Sequence, residues 1–161
     1  MKVIPTLLLG AALTATAHAA DSAPSTSQWS LLEEANGKAI YSTEDGQPAL
    51  VFGCNDAGKI SATFSLDGNI KAKLASRSSR TRRVDGALTV GDGETVTSKW
   101  AYLPARNMAS PIDNKYARRL YNAAVTGSTV TIDLGRRGTY EFVPPKTNSD
   151  FKTFADGCLA S

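Results

Sequence analysis

From residue 29 to about residue 103 the chain alternates short β-prone runs with turn-forming residues. Trp29-Ser30-Leu31-Leu32 leads to Ala35-Asn36-Gly37, and Asn-Gly favours a tight hairpin because both central residues accept positive φ. The return strand is predicted at 38–42. A turn at 44–48 leads to Ala49-Leu50-Val51-Phe52, an apolar run of the length of a buried strand, closed by Cys54 and the turn residues Asn55-Asp56-Ala57-Gly58. Residues 59–66 alternate, with Ile60, Ala62, Phe64 and Leu66 on one face and Ser61, Thr63 and Ser65 on the other. Asp67-Gly68 turns into a strand predicted at 70–74. Longer strands follow at 82–90 and 95–103, split by Gly91-Asp92-Gly93. Strands at this spacing predict an antiparallel meander.

Beyond residue 103 the period changes. Ser110-Pro111-Ile112-Asp113 carries helix-start signals, and Ile112, Tyr116, Leu120 and Ala123/Ala124 recur at helical spacing up to Gly127, with Lys115, Arg118 and Arg119 turned outward. A hairpin is predicted at 129–134 and 139–143 around Gly135-Arg136-Arg137-Gly138. Pro144-Pro145 ends it. Asn148 or Ser149 then caps a short final helix whose Phe151, Phe154 and Ala155 share a face, with Cys158 one turn after Phe154.

The N-terminal pattern is of another kind. Met1-Lys2 supplies a positive start, residues 4–13 an apolar run and Ala17-His18-Ala19 a small-x-small site, so residues 1–20 read as a cleaved signal peptide. Residues 21–28 are small and polar and read as a flexible tether. Cleavage leaves about 141 residues, of which 29–161 form one β-rich domain, long enough to bury about two-thirds of its unfolded surface. No later stretch approaches the ~20 apolar residues of a membrane-spanning helix. The expectation is a periplasmic or secreted bacterial protein without a transmembrane segment.

Composition narrows the chemistry. His18 is the chain's one histidine, and removal of the leader removes it, taking away the commonest general base and metal ligand. Cys54 and Cys158 remain. In an oxidising compartment the pair reads as a disulfide closing a loop of about a hundred residues, worth roughly 4.7 kcal/mol by chain entropy. The competing reading is two free thiols, one of them a nucleophile, for which no histidine base exists. Zinc and haem spacings, a Gly-x-Ser-x-Gly motif and a glycine-rich phosphate loop are all absent. No metal, cofactor or catalytic residue is therefore assigned. The carboxylate pairs a histidine-free glycan hydrolase needs would have to come from Glu33-Glu34, Glu44-Asp45 or Asp92/Glu94, each beside a predicted turn. Trp29, Trp100, Tyr102 and Tyr116 read either as core or as an aromatic groove.

Loss of Lys2 takes the formal charge from +3 to +2, which gives no overall field for nucleic acid. The charge is unevenly placed, however. Lys71, Lys73, Arg77, Arg80, Arg82 and Arg83 cluster among serines, a composition suited to phosphate, sulfate or carboxylate groups on an anionic envelope component or protein partner. The plainer reading is a solvated loop. Arg118-Arg119 and Arg136-Arg137 are further basic pairs whose distance from this cluster the sequence leaves open.

The order of features resembles a known layout. A strand opened by Trp29, the apolar strand Ala49-Leu50-Val51-Phe52-Gly53-Cys54, the strand Trp100-Ala101-Tyr102 before a helix, and the close Phe151-Lys152-Thr153-Phe154-Ala155-Asp156-Gly157-Cys158 resemble small exported β-sandwich proteins of Gram-negative bacteria, such as the invasion-associated locus B family and type VI secretion accessory proteins. The resemblance implies a periplasmic, non-enzymatic protein of envelope or host-interaction biology. The fold expected is mainly β, an antiparallel sheet or β-sandwich with one covering helix and a short C-terminal helix tied back by Cys54–Cys158. The function expected is binding, through Lys71, Lys73, Arg77, Arg80, Arg82 and Arg83. The alternatives are a carboxylate-dependent cell-wall glycan hydrolase and an inhibitor of a secreted hydrolase acting through a protruding loop at 77–83 or 135–138.

Overall fold

The computed structural model describes residues 27–32, 35, 38–43, 48–68, 70, 73 and 80–159. The predicted leader, the tether up to residue 26, Asn36-Gly37, the turn at 44–47 and the acids Glu33 and Glu34 lie outside the described residues, as do Lys71 and Arg77. The strands are β1 (Gln28–Leu31), β2 (Ala39–Thr43), β3 (Ala49–Cys54), β4 (Ile60–Ser65), β5 (Arg82–Val90), β6 (Val96–Leu103), β7 (Met108–Pro111), β8 (Val130–Asp133) and β9 (Thr139–Phe142). The helices are α1 (Asn114–Thr126) and α2 (Ser149–Leu159). All nine strands form one antiparallel sheet in the order β1-β2-β3-β4-β7-β6-β5-β8-β9. The protein is mainly β, as its pattern predicts.

The sheet is strongly curled. β4 and β9 stand five places apart in it, which at the usual strand spacing would be ~24 Å if the sheet were flat. Yet the rings of Phe64 on β4 and Phe142 on β9 lie 5.9 Å apart. Trp29 on β1 donates its indole N–H to the Pro145 carbonyl, just beyond β9, at 3.0 Å. A half-barrel formed by one sheet thus stands where the sandwich alternative would have two packed sheets.

The concave face holds the core. Trp29, Ile40, Leu50, Phe52, Phe64 and Trp100 meet Leu120 and Ala123 from α1 and Phe151 and Phe154 from α2. Burying each of the larger side chains contributes about 1.5–3 kcal/mol. Gly86 on β5 makes room for Trp100. A Cβ there would fall 2.7 Å from Trp100 Cδ1 and 2.9 Å from Leu134 Cδ2. On the convex face a smaller cluster joins Tyr41, Ala49, Val51 and Ile70. Ile70 and Lys73 are helical rather than extended, because packing Ile70 on β2 and β3 decides what a short apolar alternation leaves ambiguous.

Two further departures concern residues 108–113. β7 lies where the sequence pattern predicts no strand, and it joins β4 to β6 where a simple meander would place β5 beside β4. Pro111 is tolerated there because the β4 ladder stops at Ala109, leaving Pro111 paired with Trp100 alone. The helix accordingly starts at Asn114, capped by Asp113, whose carboxylate accepts from the Lys115 N–H at 3.0 Å. It ends at Gly127, which takes the left-handed conformation at φ 68. Asn148 caps α2 as predicted by accepting from the Phe151 N–H at 3.0 Å, and its own amide donates to the Trp29 carbonyl. Asp150 accepts from the Leu31 N–H, so the first turn of α2 ties down the outer edge of β1. The Cys54–Cys158 disulfide fixes the other end of α2 to β3 across a Cα–Cα distance of 5.8 Å.

Candidate functional site

Antiparallel pairing brings the start of β5, the β6–β7 turn and the β8–β9 turn to one end of the half-barrel. Arginine recurs in each. Arg80 and Arg82 sit at the start of β5, Arg106 lies in the 3-10 turn Pro104–Arg106, and Arg136 and Arg137 lie in the 3-10 turn Gly135–Arg137. Tyr102 is the centre of the group. It pairs across the sheet with Arg82, the Arg137 guanidinium stacks over its ring at 5.0 Å, and its hydroxyl donates to Asn107 Oδ1 at 3.3 Å. Asn107 adopts φ 48, which closes the turn carrying Arg106.

The β8–β9 turn is held in place by its own hydrogen bonds. Asp133 accepts from the Gly135 N–H at 2.8 Å, and the Tyr140 hydroxyl donates to the Arg137 carbonyl at 2.6 Å. Burial, helped by neighbouring Tyr102, pushes the Tyr140 hydroxyl above its ordinary pKa, so it remains a donor well into the alkaline range.

Ion pairing separates the two kinds of cation. Among the described residues the pairs are Lys38–Asp56, Lys73–Asp67, Lys99–Asp85 and Lys115–Asp113, and no described arginine takes part in one. Several arginines therefore converge on one end with no acid partner among the described residues, which concentrates positive potential there.

Of the six cations singled out in the sequence, Lys71 and Arg77 lie outside the described residues, and the four described ones do not all gather into this site. Lys73 is largely buried and bonded to Asp67 and to Ser65 Oγ, and burial lowers its pKa. Arg82 and Arg83 are successive strand residues and so project from opposite faces; Arg83 belongs to the convex row with Ala101 and Ser110. Arg80 and Arg82 remain with the rim. Arg106 and Arg137 complete it, Arg106 from the turn that follows the Tyr102 strand and Arg137, from one of the basic pairs seen in the sequence, through the β5–β6 and β5–β8 pairings.

The Ser65–Lys73 contact, at 2.8 Å, has the composition of a nucleophile with its base. Its environment opposes that role. Ser65 is fully buried and donates to the Gly68 carbonyl, and the Lys73 ammonium is engaged in an ion pair with Asp67. The contact fastens the start of the β4–β5 connection to the sheet.

At the opposite end a cleft of ≈ 540 Å³ opens among Lys38, Cys54, Lys59, Ile112 and Asn114, beside the start of α1. No carboxylate among the described residues lines it. Lys38 is already paired with Asp56, and the Asp113 cap offsets the positive end of the helix. That leaves a weaker anion site than the rim. Of the predicted carboxylate pairs, Asp92 and Glu94 lie exposed around the β5–β6 turn. Trp29 and Trp100 are core residues. No cluster of three or more potential metal ligands occurs among the described residues, and none of their helices is long and apolar enough to cross a membrane.

No protein-family model matches the chain, and no match is found among curated proteins or solved structures.

Proposed function

We infer that this chain is an exported, non-enzymatic binding protein of the bacterial envelope that takes an anionic partner at the arginine rim. The carrying observation is the convergence of Arg80, Arg82, Arg106, Arg136 and Arg137 from three chain-distant segments, while the ion pairs among the described residues all use lysine. The Cys54–Cys158 bridge fits an oxidising compartment, and the leader-like N-terminus supports export. The reading retains the basic-partner idea of the 71–83 cluster but moves its centre to Tyr102.

Contacts of this type are long-ranged and screened by salt. Labelled heparin, a general polyanion, is expected to bind the purified protein at low ionic strength and to be released by salt. Reversing charge at three positions, Arg82→Glu, Arg136→Glu and Arg137→Glu, is expected to abolish that binding. Unchanged binding by this variant would falsify the rim as the contact surface.

A further inference from the structure

Net charge alone does not explain the make-up of the rim, because its unpaired cations among the described residues are all guanidinium groups. Stacking on Tyr102 holds Arg137 by one face of its plane, and the N–H edge that grips an oxyanion in two parallel bonds stays available. Arg82, the cross-strand neighbour of Tyr102, starts from the same face within about 5 Å at Cβ. Arg106 has its Nε buried with no hydrogen-bond partner. That Nε has no accessible surface, so Arg106 can meet a ligand only through its other N–H groups. The exposed large hydrophobic residues described, Ile112, Val125 and Val143, lie outside the rim: before α1, in its last turn and after β9. A bilayer-binding surface sets apolar side chains beside its cations, so these positions argue for a soluble ligand.

We propose that Arg82, Arg106 and Arg137, arranged around Tyr102, form a guanidinium-specific site for phosphate or sulfate groups carried on a soluble polyanion. This rests on the rim being the binding surface, and adds that fork geometry rather than summed charge selects the ligand.

Isothermal titration separates the two claims. The ligands are inorganic polyphosphate, heparin, polygalacturonate and phosphatidylglycerol vesicles. The proteins are the unaltered chain, the charge-conserving triple R82K/R106K/R137K, the double R82K/R137K that leaves Arg106 in place, and the triple charge reversal. Polyphosphate or heparin is expected to bind, the tighter of the two identifying phosphate or sulfate, with polygalacturonate on the order of tenfold weaker because carboxylates offer fewer oxygens per group. Both lysine variants are expected to lose on the order of tenfold in affinity while keeping every charge. Tyr102→Leu, which removes the stack and no charge, is expected to weaken binding as well. Circular dichroism checks that each variant folds, and if the triple does not fold the double decides.

Lysine variants that bind like the unaltered chain, while charge reversal abolishes binding, overturn the guanidinium site and leave the rim standing. Charge reversal without effect overturns both. Binding to vesicles and to neither polyphosphate nor heparin overturns the soluble polyanion.

Discussion

At the end of the half-barrel where β3 turns into β4, polar groups are matched. Lys38 meets Asp56, Asp113 caps α1 and pairs with Lys115, Asn114 donates to the Ile60 carbonyl, and the disulfide ties α2 to β3. Nearby, Arg119 donates to the Glu94 carbonyl at 2.8 Å. At the end where β5 begins, Arg80, Arg82, Arg106, Arg136 and Arg137 have no acid partner among the described residues. The same sheet, core and solvent serve both ends, so the contrast comes from the residues placed there. Uncompensated cations that repel one another add nothing to folding, and exposed charges contribute little even when paired. The matched end is therefore built for stability and the arginine end for contact. Stability and binding should then be separable by mutation.

The largest effect tests the matched end. Replacing the bridge, Cys54→Ser with Cys158→Ser, opens a loop spanning 104 residues and is expected to cost about 4 kcal/mol in urea unfolding, while polyanion affinity of the remaining folded protein stays unchanged. A variant as stable as the unaltered protein would end the contrast. Gly86→Ala is next. Its Cβ would meet Trp100 and Leu134, two fully buried core side chains, and a loss of about 1–3 kcal/mol is expected. Because Trp100 precedes Tyr102 by two residues on the same strand face, this is also the substitution expected to disturb both functions, with a modest loss of affinity. The triple charge reversal at Arg82, Arg136 and Arg137 reverses the signs. Binding should vanish, whereas stability should shift by less than about 0.5 kcal/mol per site. A large drop in melting temperature would show that these arginines hold the fold together.

The sheet was legible for a local reason and the rim was not. β4, β5 and β6 each combine a period of two with bounding Asp, Gly or Asn, and those signals are complete within about ten residues. α2 was legible because its cap, its phenylalanine face and Cys158 all lie within the final helix region. β7 was hidden because Met108-Ala109-Ser110-Pro111 lacks β-branched residues and ends in proline, so it is extended only because β4 and β6 flank it. The Ser110-Pro111 signal is a plausible cap in isolation, but those two residues are already committed to β7 and the role falls to Asp113. The basic run around Arg82 was visible as composition, yet strand alternation turns Arg83 away from it and burial removes Lys73. Arg106 lies in the turn just after the strand that carries Tyr102, whereas Arg137 reaches Tyr102 only through pairings between strands far apart in the chain, and no local pattern encodes such pairings.

The smallest effect separates the ends by their response to acid. The Lys38 hydrogen bond and charge hold the Asp56 carboxyl below its usual 3.8, and the Lys115 backbone N–H, aided by the Lys115 side chain and Lys59, does the same for Asp113. A carboxyl depressed in the folded state contributes stability that is complete above its ordinary pKa and is lost as pH falls through the folded value. Both groups lie at the matched end, so acid should loosen that end. Asn in place of each, Asp56→Asn with Asp113→Asn, keeps a capping side chain at 113 and removes both titrations. This double variant is expected to be slightly less stable than the unaltered chain at neutral pH, with the gap closing toward about pH 2, where the carboxyls of the unaltered chain are protonated too. Heparin affinity should not distinguish the two proteins between about pH 7 and pH 5, since neither substitution touches the rim and sulfate stays ionised. A stability gap of constant size down to acid pH would mean that the cations do not hold these carboxylates. The two ends would then differ in composition without differing in what their charges do.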